Sequence, residues 1–404
     1  VPHNKVVVTG LGAISGAGIG ADALWAAARE GQSAIGPVEF ERPGQNTIKI
    51  AAQIKGFDPA KHMDAGTISL SDRFTQFAIV AADEAMAQAK LSREQKLGER
   101  AAVIVGTGVG GFTSLDDMMY IYNVTKGRLQ PMTIPRVMSN AAACHLSMRY
   151  GCTGPVFAVS SACSSANQAI GVGAMLVRAG AVDTAIVGGS EASITASYIR
   201  GWELLRVLTP DYCRPFSAKR TGMTIGEGAG ILILENAETA KARGAIPLAE
   251  IAGYGTSSDA KDLVRPDPAG AAAAMRAAIE SSGLPPEEID YVNAHGTGTV
   301  INDAVETEAL RTIFKDRLGK IAVSSTKPIH GHAIGASSAL ELIITIHAMR
   351  EGVAPPTINW LAADPKCDLD PVPNKARKLP IRAAMSNSFA FGGINAAIVV
   401  TQAQ

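Results

Sequence analysis

PVFAVSSACSSANQAIGVGAML, residues 155–176, sets out a unit from which the rest of the chain is built. Its apolar start, Val156–Val159, reads as a strand. Ser160 and Ser161 end that run, and from Ala166 onward small and apolar residues recur at helical spacing. The tetrapeptide AVSS at 158–161 returns at 322–325, again at the end of a strand-like run and ahead of an Ala-rich helical stretch. Four small residues can match by chance, but the shared strand–turn–helix setting points to two related halves joined around 240–255. We place the halves at 1–252 and 253–404.

The same alternation extends in both directions. KVVVTG (5–10), AAVIVG (101–106), TAIVGG (184–189), AGILILE (229–235), IDYVNAHG (289–296), KIAVSS (320–325) and NAAIVV (395–400) read as strands. Stretches 73–89, 164–179, 270–282 and 335–350 read as helices. Buried strands separated by helices predict an α/β sheet covered on both faces. The chain has 404 residues, 47% apolar and 18% charged, with 41 Gly, the profile of a large, well-buried α/β enzyme. Its 37 acidic residues balance 37 basic ones, which argues against a nucleic-acid partner. Cys144, Cys152, Cys163, Cys213 and Cys367 form no CxxC pair, so neither a disulfide scaffold nor a structural zinc site is expected. No signal segment and no membrane-spanning run is read, and a soluble cytoplasmic protein is the expectation.

Five features bear on chemistry. Gly106, Gly108 and Gly111 form a Gly-x-Gly-x-x-Gly after a strand, but FTSLDDMMYIY behind it has no clear ribose-binding acid, and a chance match is the plain reading. Cys163 stands at a strand-to-helix elbow, where a nucleophile is presented and where a helix N-terminus lowers a thiol pKa; a buried inert Cys is equally open. Cys144, beside His145, is a weaker rival. His295 ends a strand in NAHGTGT, with the hydroxyls of Thr297 and Thr299 beside it. SSTKPIHGHAIGASSALE holds Lys327, His330, His332 and Glu341; a His-x-His metal site lacks a third ligand, and a structural His stays open for either imidazole. The turn FAFGGIN (389–395) offers backbone N–H groups to an oxyanion, or is simply a turn. Together a thiol, two imidazoles, a Lys and a Gly-rich turn suit thioester chemistry.

In order and spacing, the Cys elbow, NAHGTGT, the Lys-to-Gly-His stretch and NSFAFGGIN resemble the β-ketoacyl-acyl carrier protein synthases, most closely the bacterial type II elongation class. The resemblance runs from VVVTGLGAISGAG to the C-terminus. It implies the thiolase fold, two similar βα halves in a layered αβαβα arrangement, and a homodimer. It implies a 3-oxoacyl-[acyl carrier protein] synthase of fatty acid biosynthesis that condenses an acyl thioester with malonyl-acyl carrier protein. By position, Cys163 would take the acyl chain, and His295 and His332 would assist decarboxylation. Lys327 and Glu341 would order the His332 loop, and the N–H groups of Cys163 and Phe391 would form the oxyanion hole, with Phe391 as a gate. Thr297 and Thr299 would contact the phosphopantetheine arm. Lys126, Arg128 and Arg206 would meet the acidic carrier protein. No metal, no cofactor and no membrane insertion is implied.

Three departures concern acyl preference: His330 before Gly-His, no His in SSDAKDLVRPDPAG (257–270), and FAFGG in place of FGFGG. They keep open a specialised synthase for very long, nodulation-type or polyketide chains. A non-elongating partner subunit of the same fold would lack the Cys. A thiolase would carry a second Cys where FAFGGIN has none.

Overall fold

The structure, a computed structural model, describes residues 4–403. The β-branched runs become β1 (Val6–Ser15), β2 (Ala101–Gly106), β3 (Val156–Val159), β4 (Thr184–Glu191) and β5 (Gly228–Asn236). In the second half lie β6 (Ala249–Ser258), β7 (Tyr291–Asn293), β8 (Ala322–Ser324), β9 (Ala383–Ala390) and β10 (Ile394–Thr401). β1, β2 and β4 are buried throughout, hence their unbroken apolar reading.

The strands follow the order β8–β7–β9–β10–β6–β1–β5–β4–β2–β3. Counted outward from the centre, the first half runs 1-5-4-2-3 and the second 6-10-9-7-8, the same order with every number raised by five. Directions repeat as well. β2 is parallel to β3 and β4, as β7 is to β8 and β9. β5 runs antiparallel to β1 and β4, as β10 does to β6 and β9. The half-sheets join through only two residue pairs, Val7–Glu250 and Val8–Ala249. Residues 252 and 253 lie inside β6.

Seven of the helices bear on the site: α1 (Arg73–Gln88), α2 (Phe112–Tyr120), α3 (Ser165–Arg178), α4 (Ala196–Leu204), α5 (Pro268–Ser282), α6 (Val300–Phe314) and α7 (Ser337–Glu351). α1 covers β1 and β5 from outside, and α5 covers β6 and β10. Glycines let both approach closely: a Cβ at Gly12 would stand 1.9 Å from Ala81 O, and one at Gly255 2.2 Å from Ala274 O. Between the half-sheets lie α3 and α7. Every residue of α7 from Ser337 to Met349 is buried, as a helix packed on all sides requires. The result is five layers, αβαβα.

Each central helix begins with the same device. After β3 the chain makes a 3₁₀ turn, Ala162–Ser164, and enters α3; after β8 it reaches the 3₁₀ turn Ile334–Ala336 and enters α7. Both turns open on a non-glycine residue at positive φ, Ala162 at 48° and Ile334 at 39°. By position Cys163 therefore corresponds to Gly335, and residues 326–333 are an addition peculiar to the second half.

Candidate active site

A residue held at positive φ costs about 1–3 kcal/mol and persists only where its surroundings enforce it. Ala162 occupies such a conformation immediately before Cys163, turning the thiol out of the elbow towards the second half. There Cys163 Sγ lies 3.1 Å from His332 Nε2, and His332 Nδ1 lies 2.8 Å from Ser337 Oγ at the start of α7. His295, just beyond β7, presents its ring edge-on to His332, with centroids 5.5 Å apart at 81°. The ligating atoms of the three side chains all fall within 4.8 Å of one another, and all three residues are buried. The thiol and both imidazoles singled out in the sequence thus meet where the halves abut.

Backbone contacts hold His295. Its N–H and that of Gly296 each donate to Glu306 on α6 at 2.8 Å, and its carbonyl accepts from Lys327 Nζ at 2.5 Å. The same ammonium pairs with Glu341 at 2.5 Å, in a bridge buried at both ends. Lys327 therefore braces the His295 turn directly and Glu341 holds Lys327, which also opens the segment that leads to His332. Gly296 is required in that turn: its φ is 41°, and a Cβ would stand 2.5 Å from Ser325 Cβ.

Burial sets the electrostatics. It pushes the Cys163 thiol up to about 12, with Lys327 acting in the other direction. The elbow's backbone N–H acts in the lowering direction expected of a helix N-terminus, and burial outweighs it. Burial, then the Lys327 charge, holds His295 and His332 well below the ordinary histidine range, so both are neutral. Glu341 and Glu306 are raised to about 7 by burial.

Above these groups opens a cleft of about 280 Å³ whose lining includes Cys163, His295, His332, Thr297, Thr299 and Phe391. The two threonine hydroxyls are 2.9 Å apart. Phe391 stacks on Trp202 of α4, with centroids 5.8 Å apart at 24°. The N–H groups of Cys163 and Phe391 have no acceptor among the described residues. Arg206 is exposed and lines the cleft, whereas Lys126 and Arg128 are exposed beyond α2 and line none of it. His330 is fully buried, lines none of the cleft, and sets Nε2 3.1 Å from Thr326 Oγ1. Cys144 does not line the cleft either.

Glu306, Ser337 and Ser388, whose hydroxyl donates to the Cys163 carbonyl at 2.6 Å, went unnoticed in the sequence. One signal existed for the first: Asp303 and Glu306 stand three apart, on one face of the helix behind NAHGTGT, and both are buried. In the Gly106–Gly111 motif the N–H groups of Gly108 and Val109 donate to Glu191.

Residues 3–240 match the family described as Beta-ketoacyl synthase, N-terminal domain, and residues 248–361 match Beta-ketoacyl synthase, C-terminal domain. The chain is 44% identical over 400 residues to Nodulation protein E of Rhizobium sp. (strain N33), covering 98% of this chain and 99% of that one. It is 37% identical over 406 residues to 3-oxoacyl-[acyl-carrier-protein] synthase 2 of Staphylococcus aureus (strain COL), covering 98% of each. Among solved structures, the ishigamide ketosynthase/chain length factor superposes with a TM-score of 0.95 at 32% identity, covering 100% of both chains.

Proposed function

The chain belongs to the β-ketoacyl synthase family, and from that premise we propose that it extends a carrier-bound acyl chain by decarboxylative condensation, with Cys163 as the acyl-accepting nucleophile. The observation that carries this reading is the 3.1 Å approach of His332 Nε2 to Cys163 Sγ, with His295 alongside. A thiol near 12 needs a base at the moment of attack, and a neutral imidazole is that base.

In the first step Sγ attacks the acyl thioester carbonyl while its proton passes to His332 Nε2. The N–H groups of Cys163 and Phe391 hold the oxyanion, and the carrier's pantetheine thiol leaves with that proton. In the second step His295 and His332, as N–H donors, polarise the malonyl thioester carbonyl. CO₂ departs, and the enolate carbon attacks the acyl-Cys carbonyl. The new C–C bond forms, the S–C bond breaks, Cys163 leaves as a thiolate that takes up a proton from solvent, and a 3-oxoacyl thioester is released. His332 Nε2 must accept in one step and donate in the other. The Ser337 hydroxyl suits both, because it can accept from Nδ1–H or donate to Nδ1.

Thr297 and Thr299 suit the amides of the pantetheine arm, and Phe391 on its stack with Trp202 suits a gate. Acyl carrier protein is the partner in this reading, as it is in the name of the Staphylococcus relative. Its docking face, in this reading, is the cleft rim, where Arg206 stands among exposed Leu205, Val300 and Ile301. Lys126 and Arg128 are assigned to a wider basic surround. A second copy of the chain would cover β3, an edge strand with Phe157 exposed. The seam between halves is set just ahead of β6, a few residues before 252/253. Among the described residues no helix is long and apolar enough to cross a membrane.

Fatty acid elongation is the first reading of pathway. The higher identity to Nodulation protein E favours a second, elongation of a specialised acyl chain. Intact-protein mass spectrometry with carrier thioesters of graded length and unsaturation tests both, with Cys163→Ala beside the parent. An adduct of acyl mass confined to the parent is expected. Preferred loading of ordinary saturated chains supports the first pathway, and preferred loading of unusual chains the second. No adduct from any donor in folded protein overturns the nucleophile assignment.

A further inference from the structure

Glu191 is the last residue of β4, at the sheet edge that carries the site, and it is fully buried. Four donors converge on it, none a cation. Gly108 N–H at 2.6 Å and Gly335 N–H at 3.0 Å reach Oε2; Val109 N–H and Thr107 Oγ1, both at 3.3 Å, reach Oε1. The glycine loop that in other folds cradles a phosphate here closes on a carboxylate of its own chain.

Each end of this arrangement leads to a reacting group. Ser160 Oγ, three residues before Cys163, donates to the Gly108 carbonyl at 3.3 Å, and Ser165 Oγ, which donates to Ala162 O at 2.7 Å, lies 3.3 Å from the Thr107 carbonyl. The loop thus underlies the nucleophile's elbow. On the other side, Gly335 lies between His332 and Ser337, which hydrogen-bond to each other. The two backbones touch: a Cβ at Gly335 would stand 2.3 Å from Gly108 N. Glu191 is the group that bonds to both.

We propose that Glu191 is a positioning residue for condensation, clamping the loop beneath Cys163 to the turn behind His332 and so fixing the approach of Sγ to Nε2 across the two halves. This rests on the ketosynthase reading above. A carboxylate only accepts and offers about four lone-pair sites, matching four inward-facing donors. Glutamine keeps the volume but turns an NH₂ against at least one of those donors.

The test compares the parent, Glu191→Gln and Glu191→Asp. Condensation kcat is expressed per acylatable Cys163, counted by intact mass, so that loss of folded protein does not register. We expect Glu191→Gln to lower this kcat at least about tenfold, with KM for the malonyl carrier within about threefold, and Glu191→Asp to recover part of the loss. A kcat within twofold of the parent in Glu191→Gln overturns the proposal. If the parent forms no acyl adduct, the ketosynthase reading itself falls, and the two failures are distinct. Should Glu191→Gln not fold, hydrogen exchange on the parent decides. Acylation of Cys163 should change exchange in 107–111 and 333–337 together; a change in one alone, or in neither, overturns the clamp.

Discussion

At the scale of single residues, Cys163 and His295 were legible because each follows a strand-like run at a turn, where α/β folds gather their chemistry, and His332 through the Lys-to-Gly-His stretch that holds it. The acidity of the thiol was not legible. A helix N-terminus is visible in a 22-residue string, whereas burial is contributed by segments hundreds of residues away. The distinction is measurable. With the thiol near 12, alkylation of Cys163 by iodoacetamide should rise about tenfold per pH unit and show no plateau below about pH 10. A plateau near neutrality would mean a thiolate already formed at rest. Glu306, Glu191 and Ser337 escaped notice for a related reason. They act on backbone amides or a ring nitrogen, and nothing in a side chain's identity announces which distant amide it will meet.

Among elements, strands of continuous β-branched residues emerged with bounds close to those expected; β2 spans Ala101–Gly106 as read. β9 did not stand out, because its sequence AAMSNSFA places Ser386, Asn387 and Ser388 inside the protein, against the usual polarity of a buried strand. β6 was obscured by Glu250, Gly253 and Gly255, the glycines being required by the approach of α5. α6 carries a cost of similar origin. Glu306 has a pKa raised by burial from an ordinary value near 4.5 to about 7, so the folded state holds a proton that the unfolded chain releases. Its contribution to stability is fully present below about pH 4.5 and is lost as pH rises through about 7, on the order of 3 kcal/mol over that window. Denaturant unfolding from pH 5 to pH 8 should show this decline in the parent and a flatter profile in Glu306→Gln. Equal slopes would place the titration elsewhere.

For the whole molecule, the internal repeat was foreshadowed by four residues, AVSS, because the repeat is one of topology and the strand–turn–helix unit is its most sequence-visible part; the αβαβα layering came only with the family resemblance. The tight join of the halves was not foreshadowed, since only two residue pairs, in one strand pairing, link their sheets and the rest is helix burial. Surface charge belongs to this scale too. Arg206→Glu at the cleft rim should raise KM for malonyl-carrier protein about tenfold and leave turnover of a malonyl-pantetheine substrate within about twofold, with added salt narrowing the gap. An equal effect on both substrates would move Arg206 from docking to the cleft interior.

The paired turns that open α3 and α7 differ in what they carry. Two copies of one unit lie face to face, yet only one presents a side chain at the tip of its turn. The corresponding position in the other is Gly335, pressed so closely on Gly108 that no thiol would fit. The second unit instead carries residues 326–333, and with them Lys327 and His332. In the proposed reaction one half brings the group that attacks and the other the groups that manage its proton, so neither half holds a working set alone.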